Sequence, residues 1–158
     1  FLKSIPAAAI YSSPLLRARQ TAEIIQRHHP QLKVSLSRYL IEVKSGFEGR
    51  KESEIIQAGN DVYFHKESAY EQPREVFSRV QAFFSKVKKK HAGQHVIAIT
   101  HGDLILFTLF WLNNIEITAR NKINLPHFKC IAEYPATGSI TRVSLLSTDE
   151  ESNSYTAT

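Results

Sequence analysis

Sulfur-containing residues are almost absent from this chain. Its 158 residues include no methionine and a single cysteine, Cys130. A lone cysteine cannot form a disulfide within the chain, so nothing ties the fold to an oxidising compartment. Cys130 itself is expected to behave as an apolar-like residue of a strand. We therefore expect a cytoplasmic protein.

The sequence also lacks an apolar run that could cross a bilayer. The most apolar stretch, residues 104–112 (LILFTLFWL), has about half the length that a spanning helix needs. It predicts a helix that is buried on all sides. Residues 1–6 show neither the basic and apolar segments nor the cleavage site of a signal peptide. No membrane contact is expected.

Charge of either sign is moderate. The 20 Lys and Arg residues against 15 Asp and Glu give a net charge of +5. This excess favours anionic ligands but is below the density typical of nucleic-acid-binding proteins. Phosphorylated small molecules fit this balance as ligands, and we expect neither nucleic acid nor a cofactor. Most histidines show no metal-ligand spacing, which predicts no metal site; these are His28, His29, His65, His91, His95 and His127.

The order of apolar runs and amphipathic segments predicts an α/β fold. Residues 7–11 read as a strand, and the Ser-Pro pair after it begins a helix that extends to about residue 28 or 29. A short strand over 33–37, a loop over 38–50 and irregular helices over 51–68 follow. Pro73 opens a clearer helix with an apolar stripe. Its lysine-rich C-terminal end is expected to be a solvated face.

The second half of the chain completes the predicted sheet. The nearly continuous apolar run 95–100 is typical of a parallel strand buried on both faces. Residues 128–134 and 139–146 read as a hairpin at the sheet edge. Together these elements predict a three-layer domain over residues 1–147, with a largely parallel sheet, helices on both faces and an antiparallel edge. Residues 148–158 are expected to be a loose polar tail.

Polar residues follow two of the predicted strands at the point where each strand ends. In open α/β sheets, ligands bind outside the carboxyl ends of the strands, where helix N-termini present amides to anions. Arg17 lies in the first helical turn after the first strand, and His101 ends the buried strand. Gly102 lets the backbone approach a ligand closely. This placement predicts an anion site.

Three motifs in order resemble the phosphoglycerate-mutase-like branch of the histidine phosphatases. The first is the Ser-Pro-x-x-Arg-Ala-x-x-Thr-Ala pattern, matched by residues 13–22 (SPLLRARQTA). The second is Leu-x-Glu followed by Gly and an aromatic-Glu-Gly, similar to residues 40–42 and 46–49. The third is an apolar strand ending in Thr-His-Gly, at residues 97–102. Each motif alone is weak, whereas the ordered set is specific.

The resemblance implies a role for each of the candidate residues. Arg17 would hold the phosphoryl group, since a guanidinium can bind two phosphate oxygens in a fork. Glu42 would transfer the proton, provided that its pKa is raised toward working pH. His101 would contact the phosphoryl oxygens as a protonated imidazole, beside Gly102.

The sequence departs from the family pattern at two places. The family's nucleophile is a histidine in an Arg-His-Gly motif on a first strand, and this motif does not occur here. We expect a strand and a helix, about 40 residues by ordinary element lengths, to precede Phe1 and to supply it. In addition, only Phe47 lies between Gly46 and Glu48, one residue fewer than the family usually has.

The expected activity is phosphomonoester hydrolysis through a phosphohistidine intermediate. One alternative is phosphoryl transfer of the phosphoglycerate mutase type on the same site. The other is a phospholigand-binding module without catalysis, if no upstream histidine exists. The sequence specifies neither the substrate nor the oligomeric state, and a homodimer is compatible with it.

Several polar residues near the motifs have simpler interpretations. Ser12 and Ser13 are expected to be helix caps rather than nucleophiles, because no Gly-x-Ser-x-Gly elbow surrounds them. Asp103 is expected to be a charge at a helix N-terminus. Arg19 is expected to have a surface role.

Overall fold

The computed structural model describes residues 1–47, 49–57, 59, 61–63, 70–131, 133–145 and 155–157. The strands are β1 (Ala7–Ser12), β2 (Val34–Leu36), β3 (His95–Ile99), β4 (Val143–Leu145) and β5 (Tyr155–Ala157). The α-helices are α1 (Leu16–Gln26), α2 (Glu52–Gln57), α3 (Pro73–Lys90), α4 (Gly102–Leu112) and α5 (Ala119–Ile123). Single 3-10 turns occur at Leu2–Ser4, Arg38–Leu40 and Leu125–His127.

The chain divides into two compact units. The first contains Phe1–Glu42, Arg79–His101 and Leu145–Ser154. The second contains Val43–Ser78, Gly102–Ser144 and Tyr155–Thr158. A single domain over residues 1–147 stays a prediction.

The first unit is built on a parallel sheet with the strand order β2-β1-β3. In the middle strand, Ile10 pairs with Val34 on one side and with Ile97 on the other. The ladder continues past β1, where the Ser13 amide donates to the Ile99 carbonyl at 2.9 Å. The predicted α/β class with a parallel sheet is confirmed.

Helices cover both faces of this sheet. Ile10 is fully buried in a cluster with Ala22 of α1. Its neighbour Tyr11 packs in a separate cluster with Phe83 and Val87 of α3. Successive strand residues point to opposite faces. The three-layer arrangement expected from the sequence is therefore present.

β3 is less buried than its apolar sequence predicts. Ile97 is buried, whereas Ala98 is exposed. In the part of the chain that the structure describes, β3 is an edge strand, with β1 as its only partner. A strand at the edge has fewer covering neighbours, which explains why burial on both faces is incomplete.

α1 begins later than the Ser-Pro pair suggests. Its first residue is Leu16, and Leu15 at the N-cap position is extended and makes no side-chain cap. The Ser13 hydroxyl accepts from the Leu15 amide at 3.3 Å, so it caps the turn before the helix. The Ser13 amide is still paired with β3, through the Ile99 carbonyl, so the helix begins only after it.

The predicted hairpin over 128–134 and 139–146 is wrong. Residues 128–131 and 133–134 form no strand, and β4 pairs with β5 instead. Phe128 packs on a helix rather than lying in a sheet: its ring lies 5.7 Å from that of Phe110 in α4. Ile131 is buried. Cys130 is exposed in a turn and is not a strand residue.

Two further expectations concern segments that are described only in part. Of the irregular helices expected over 51–68, α2 is observed, and residues 58, 60 and 64–69 lie outside the described residues. Of the expected loose tail over 148–158, residues 155–157 form β5, and the others lie outside the described residues. The polar composition of the tail concealed this strand.

Residues 104–112 belong to α4, as expected, and Leu104, Leu106, Phe107 and Phe110 are buried in it. Searched over the described residues, the chain offers no helix with the length and apolar character needed to cross a membrane.

Candidate active site

The first unit brings Arg17, Glu42 and His101 together. Arg17 comes from the first turn of α1, Glu42 follows the 3-10 turn after β2, and His101 follows the end of β3. The Arg17 guanidinium lies 3.2 Å from Nδ1 of His101 and 3.7 Å from the Glu42 carboxylate. The same carboxylate oxygen lies 3.5 Å from His101 Nδ1. Residues far apart in sequence thus form one cluster at the carboxyl ends of parallel strands.

The three side chains differ in their exposure. The side chain of His101 is 5% exposed, that of Glu42 31% and that of Arg17 63%. The imidazole is therefore fixed at the base of the cluster, whereas the guanidinium can turn toward a ligand from solvent. A long, exposed arginine above a buried histidine suits the capture of an anion.

The contacts of His101 define its neutral tautomer. Because the Arg17 guanidinium can only donate, Nδ1 of His101 must be the acceptor of their contact. Nε2 then carries the proton and donates to the Ser13 hydroxyl at 2.8 Å. Both ring nitrogens have partners, so the ring plane is fixed by Ser13, directly after β1, and by Arg17 of α1.

The free site disfavours a charged imidazole. Burial, together with the positive charges of Arg17 and Arg79, lowers the pKa of His101 from 6.5 to about 4. The protonated imidazole expected from the resemblance is thus not the state of the free protein near neutral pH. A bound dianion would oppose the effect of the two guanidinium groups and favour protonation of the ring.

The lowered pKa makes the stability of the protein depend on pH. His101 takes up its proton near pH 6.5 in the unfolded chain but only near pH 4 in the folded protein. The unfolded state therefore binds more protons in this window, and the free energy of unfolding should fall as the pH is lowered through it. We expect a loss of about 2–3 kcal/mol from this group, discounted for solvent screening.

Urea unfolding at several pH values between about 7 and about 4.5 checks this. His101→Asn should remove most of this pH dependence, whereas His28→Asn, which alters an exposed histidine, should leave it intact. Equal pH dependence in wild type and His101→Asn would contradict the lowered pKa.

The contact between the Ser13 hydroxyl and His101 does not have the arrangement of a Ser-His-Glu triad. Ser13 is fully buried. Its hydroxyl oxygen accepts hydrogen bonds from Nε2–H of His101 and from the Leu15 amide. A general base must accept the proton of the serine, and this hydrogen bond runs in the opposite direction. Ser13 instead orients the imidazole.

Two residues that contact this cluster are not predicted as site residues from the sequence. The sequence predicts Ser13 only as a helix cap, because its contact with His101 is long-range. It assigns no role to Arg79, although the Arg79 guanidinium donates to the backbone carbonyls of Ile41 and Glu42. The sequence does contain a signal for a role of Arg79. On α3 it lies between the buried residues Val76 and Phe83 at helical spacing, so this arginine lies beside the buried face of the helix.

Gly102 and Asp103 begin α4 in the second unit. A Cβ on Gly102 would collide with the phenol ring of Tyr134, so a larger residue here would require that ring to shift. Its expected role at a phosphate stays a prediction.

Asp103 is the charge in the first turn of α4 that the sequence predicts, and it is buried. It is 2% exposed, and its carboxylate accepts from the hydroxyls of Tyr63 and Tyr134, both at 2.6 Å, and from the Lys122 ammonium at 2.8 Å. With three donors, the buried carboxylate is satisfied and anchors the beginning of α4.

Arg19 is exposed, in agreement with a surface role. Over the described residues, no group of three or more His, Cys, Asp or Glu side chains could hold a metal ion.

The fold is of the phosphoglycerate-mutase-like α/β class. The sequence model of the histidine phosphatase superfamily (branch 1) matches residues 1–145. Because this match covers most of the chain, the protein belongs to the histidine phosphatase superfamily. A search of curated proteins finds no significant match.

Solved structures share the fold. YhfR of Bacillus stearothermophilus is 24% identical with a TM-score of 0.65, over 73% of this chain and 61% of that chain. A mycobacterial glucosyl-3-phosphoglycerate phosphatase is 20% identical with a TM-score of 0.75, over 99% of this chain and 78% of that chain. It has also been solved with VO3 and with inorganic phosphate.

A phosphoglycerate mutase from Bacillus anthracis str. Sterne is 22% identical with a TM-score of 0.59, over 74% of this chain and 66% of that chain. The chain thus spans less than two thirds of YhfR and of this mutase. At these identities the likeness concerns the fold and not the substrate.

Proposed function

We propose that the protein hydrolyses small phosphomonoesters through a phosphohistidine intermediate. The observation that carries the proposal is the cluster of Arg17, Glu42 and His101, whose polar atoms lie within 3.2–3.7 Å of one another. A cation, a proton carrier and an imidazole around one point are what phosphoryl transfer requires. Membership of the histidine phosphatase superfamily supports the same reaction class.

In the proposed reaction, Arg17 leaves its contacts with Glu42 and His101 and binds two phosphoryl oxygens. The approaching dianion favours protonation of His101, which then donates to a further oxygen. A histidine nitrogen attacks phosphorus while the ester P–O bond breaks. Glu42, as the carboxylic acid, gives its proton to the departing alkoxide.

The second half of the reaction uses the same groups in reverse roles. The Glu42 carboxylate takes a proton from water, the water oxygen attacks phosphorus, and the P–N bond breaks to release inorganic phosphate. The nucleophile is proposed to be a histidine that precedes Phe1 in the full-length protein. In the described part of the chain, the outer edge of β3 has no partner strand, so a further parallel strand could add there.

The test is to incubate the full-length protein with labelled phosphomonoesters and to trap the phosphoenzyme. We expect release of inorganic phosphate, inhibition by vanadate, and a protein-bound phosphate that is stable to alkali and lost in acid, as phosphohistidine is. Phosphorus NMR of a phosphoglycerate substrate distinguishes hydrolysis from the alternative, mutase-type transfer. Movement of the phosphate between positions of the sugar acid without release of phosphate would instead identify a mutase. Tight phosphate binding without turnover would identify a binding module.

A further inference from the structure

The segment that carries Glu42 is held by side chains rather than by a sheet. Four successive carbonyls, those of Tyr39, Leu40, Ile41 and Glu42, each accept a hydrogen bond from a side chain. The Leu40 carbonyl accepts from the hydroxyl of Thr100, at 2.9 Å. The other three accept from one guanidinium. We call residues 38–42 the Glu42 segment.

That guanidinium belongs to Arg79 of α3. Its Nη1 donates to the carbonyls of Tyr39 at 3.1 Å and Ile41 at 2.6 Å, and its Nη2 lies 3.4 Å from the carbonyl of Glu42. The donors come from a rigid base, because the buried residues Val80, Phe83 and Val87 fix this part of α3 in the core. The position of the Glu42 backbone is thus set by a helix.

We propose that Arg79 is the positioning residue for the proton-transferring carboxyl of Glu42. Only a planar guanidinium presents several donors in the fixed directions that three carbonyls of one chain segment require. A lysine at this position would keep the charge but could not satisfy all three acceptors. The Glu42 backbone would then be released, and a displacement of about 1 Å at a catalytic group can cost about 100-fold in rate.

This inference rests on the proposed function of Glu42 as the acid that protonates the leaving group. A misplaced acid slows the hydrolysis of esters whose leaving alcohol must be protonated, such as alkyl phosphates. It slows the hydrolysis of dinitrophenyl phosphate much less, because dinitrophenolate leaves without being protonated. The value of kcat/KM reports the steps up to loss of the alcohol, so it isolates this effect from the later hydrolysis.

The test compares Arg79→Lys with Arg74→Lys in the full-length protein. Arg74 is a matched control on the same helix, with a side chain that is 79% exposed. For Arg79→Lys, we expect kcat/KM to fall by about 10- to 100-fold for an alkyl phosphate and by less than about threefold for dinitrophenyl phosphate. The vanadate inhibition constant should stay within about threefold of wild type, as should all values for Arg74→Lys.

A double-mutant cycle identifies the residue through which Arg79 acts. Once Glu42→Gln has removed the acid, Arg79→Lys should cause no further loss on the alkyl phosphate. Equal losses on both substrates, together with weaker vanadate binding, would show a merely structural role and overturn the inference. A selective loss in Glu42→Gln without one in Arg79→Lys would overturn it too, with the proposed function intact. No selective loss in Glu42→Gln would refute the proposed function itself.

Thr100→Val provides a second variant if Arg79→Lys fails to fold. It removes the donor to the Leu40 carbonyl and leaves Arg79 in place. The same selective pattern is expected at smaller size, about threefold to tenfold on the alkyl phosphate. Equal losses on both substrates would contradict the inference here as well.

Discussion

Replacing Arg17 by alanine in the full-length protein should weaken the binding of phosphate and vanadate by about 100- to 1,000-fold. The estimate corresponds to the loss of two charge-assisted hydrogen bonds in a fork. The fold should tolerate the change, because the Arg17 side chain is 63% exposed. Vanadate inhibition and calorimetric titration with phosphate measure the effect, and thermal unfolding checks the fold.

Arg19→Ala is the matched control. Arg19 is exposed on the same helix, and its replacement removes the same charge. Its binding constants should remain within about threefold of wild type, as expected for a loss of general electrostatic attraction. Similar losses in both variants would show that the site responds only to net charge. Unchanged binding in Arg17→Ala would place the anion site elsewhere.

Glu42→Gln should reduce turnover strongly while leaving the binding of phosphate and vanadate intact. Among single substitutions in the cluster that preserve this binding, it should have the largest effect. A positioned acid or base contributes about 100- to 10,000-fold to such reactions, so kcat/KM on an alkyl phosphate should fall in that range. Glutamine keeps the size of the side chain and can still accept from Arg17. Steady-state kinetics with alkyl and dinitrophenyl phosphates provide the measurement.

For this variant, Glu23→Gln is the control, because Glu23 is an exposed carboxylate on α1 of the same unit. It should leave kcat/KM unchanged for both substrates. Weaker vanadate binding in Glu42→Gln, with little change in leaving-group dependence, would assign Glu42 to ligand binding rather than to proton transfer.

Much of the fold was predictable because its signals are local. The apolar run of β3, bounded by Gly93 and Gly102, and the regular stripe of α3 define their elements without reference to the rest of the chain. The hairpin failed because β propensity in 128–134 does not distinguish a strand from a turn whose apolar residues pack on a helix. Phe128 and Ile131 are apolar in both cases, and tertiary contacts decide between them.

In the site, the types of residue were predictable and their partners were not. Arg17, Glu42 and His101 could be found because each follows a strand or lies in a motif. The hydrogen bond of Ser13 to His101 and the contacts of Arg79 with the Glu42 segment span 88 and 37–40 residues, respectively. No local pattern encodes such contacts. The lowered pKa of His101 likewise results from burial and from two guanidinium groups that are distant in sequence.

The way in which the Glu42 segment is held leaves the downstream chain free to diverge. Every donor to its carbonyls lies in the same compact unit as Glu42 itself, on α3 or directly after β3. Insertions and deletions after Val43 should therefore leave the backbone of Glu42 in place. The interval between Gly46 and Glu48, one residue shorter than in the family pattern, lies beyond this point of attachment.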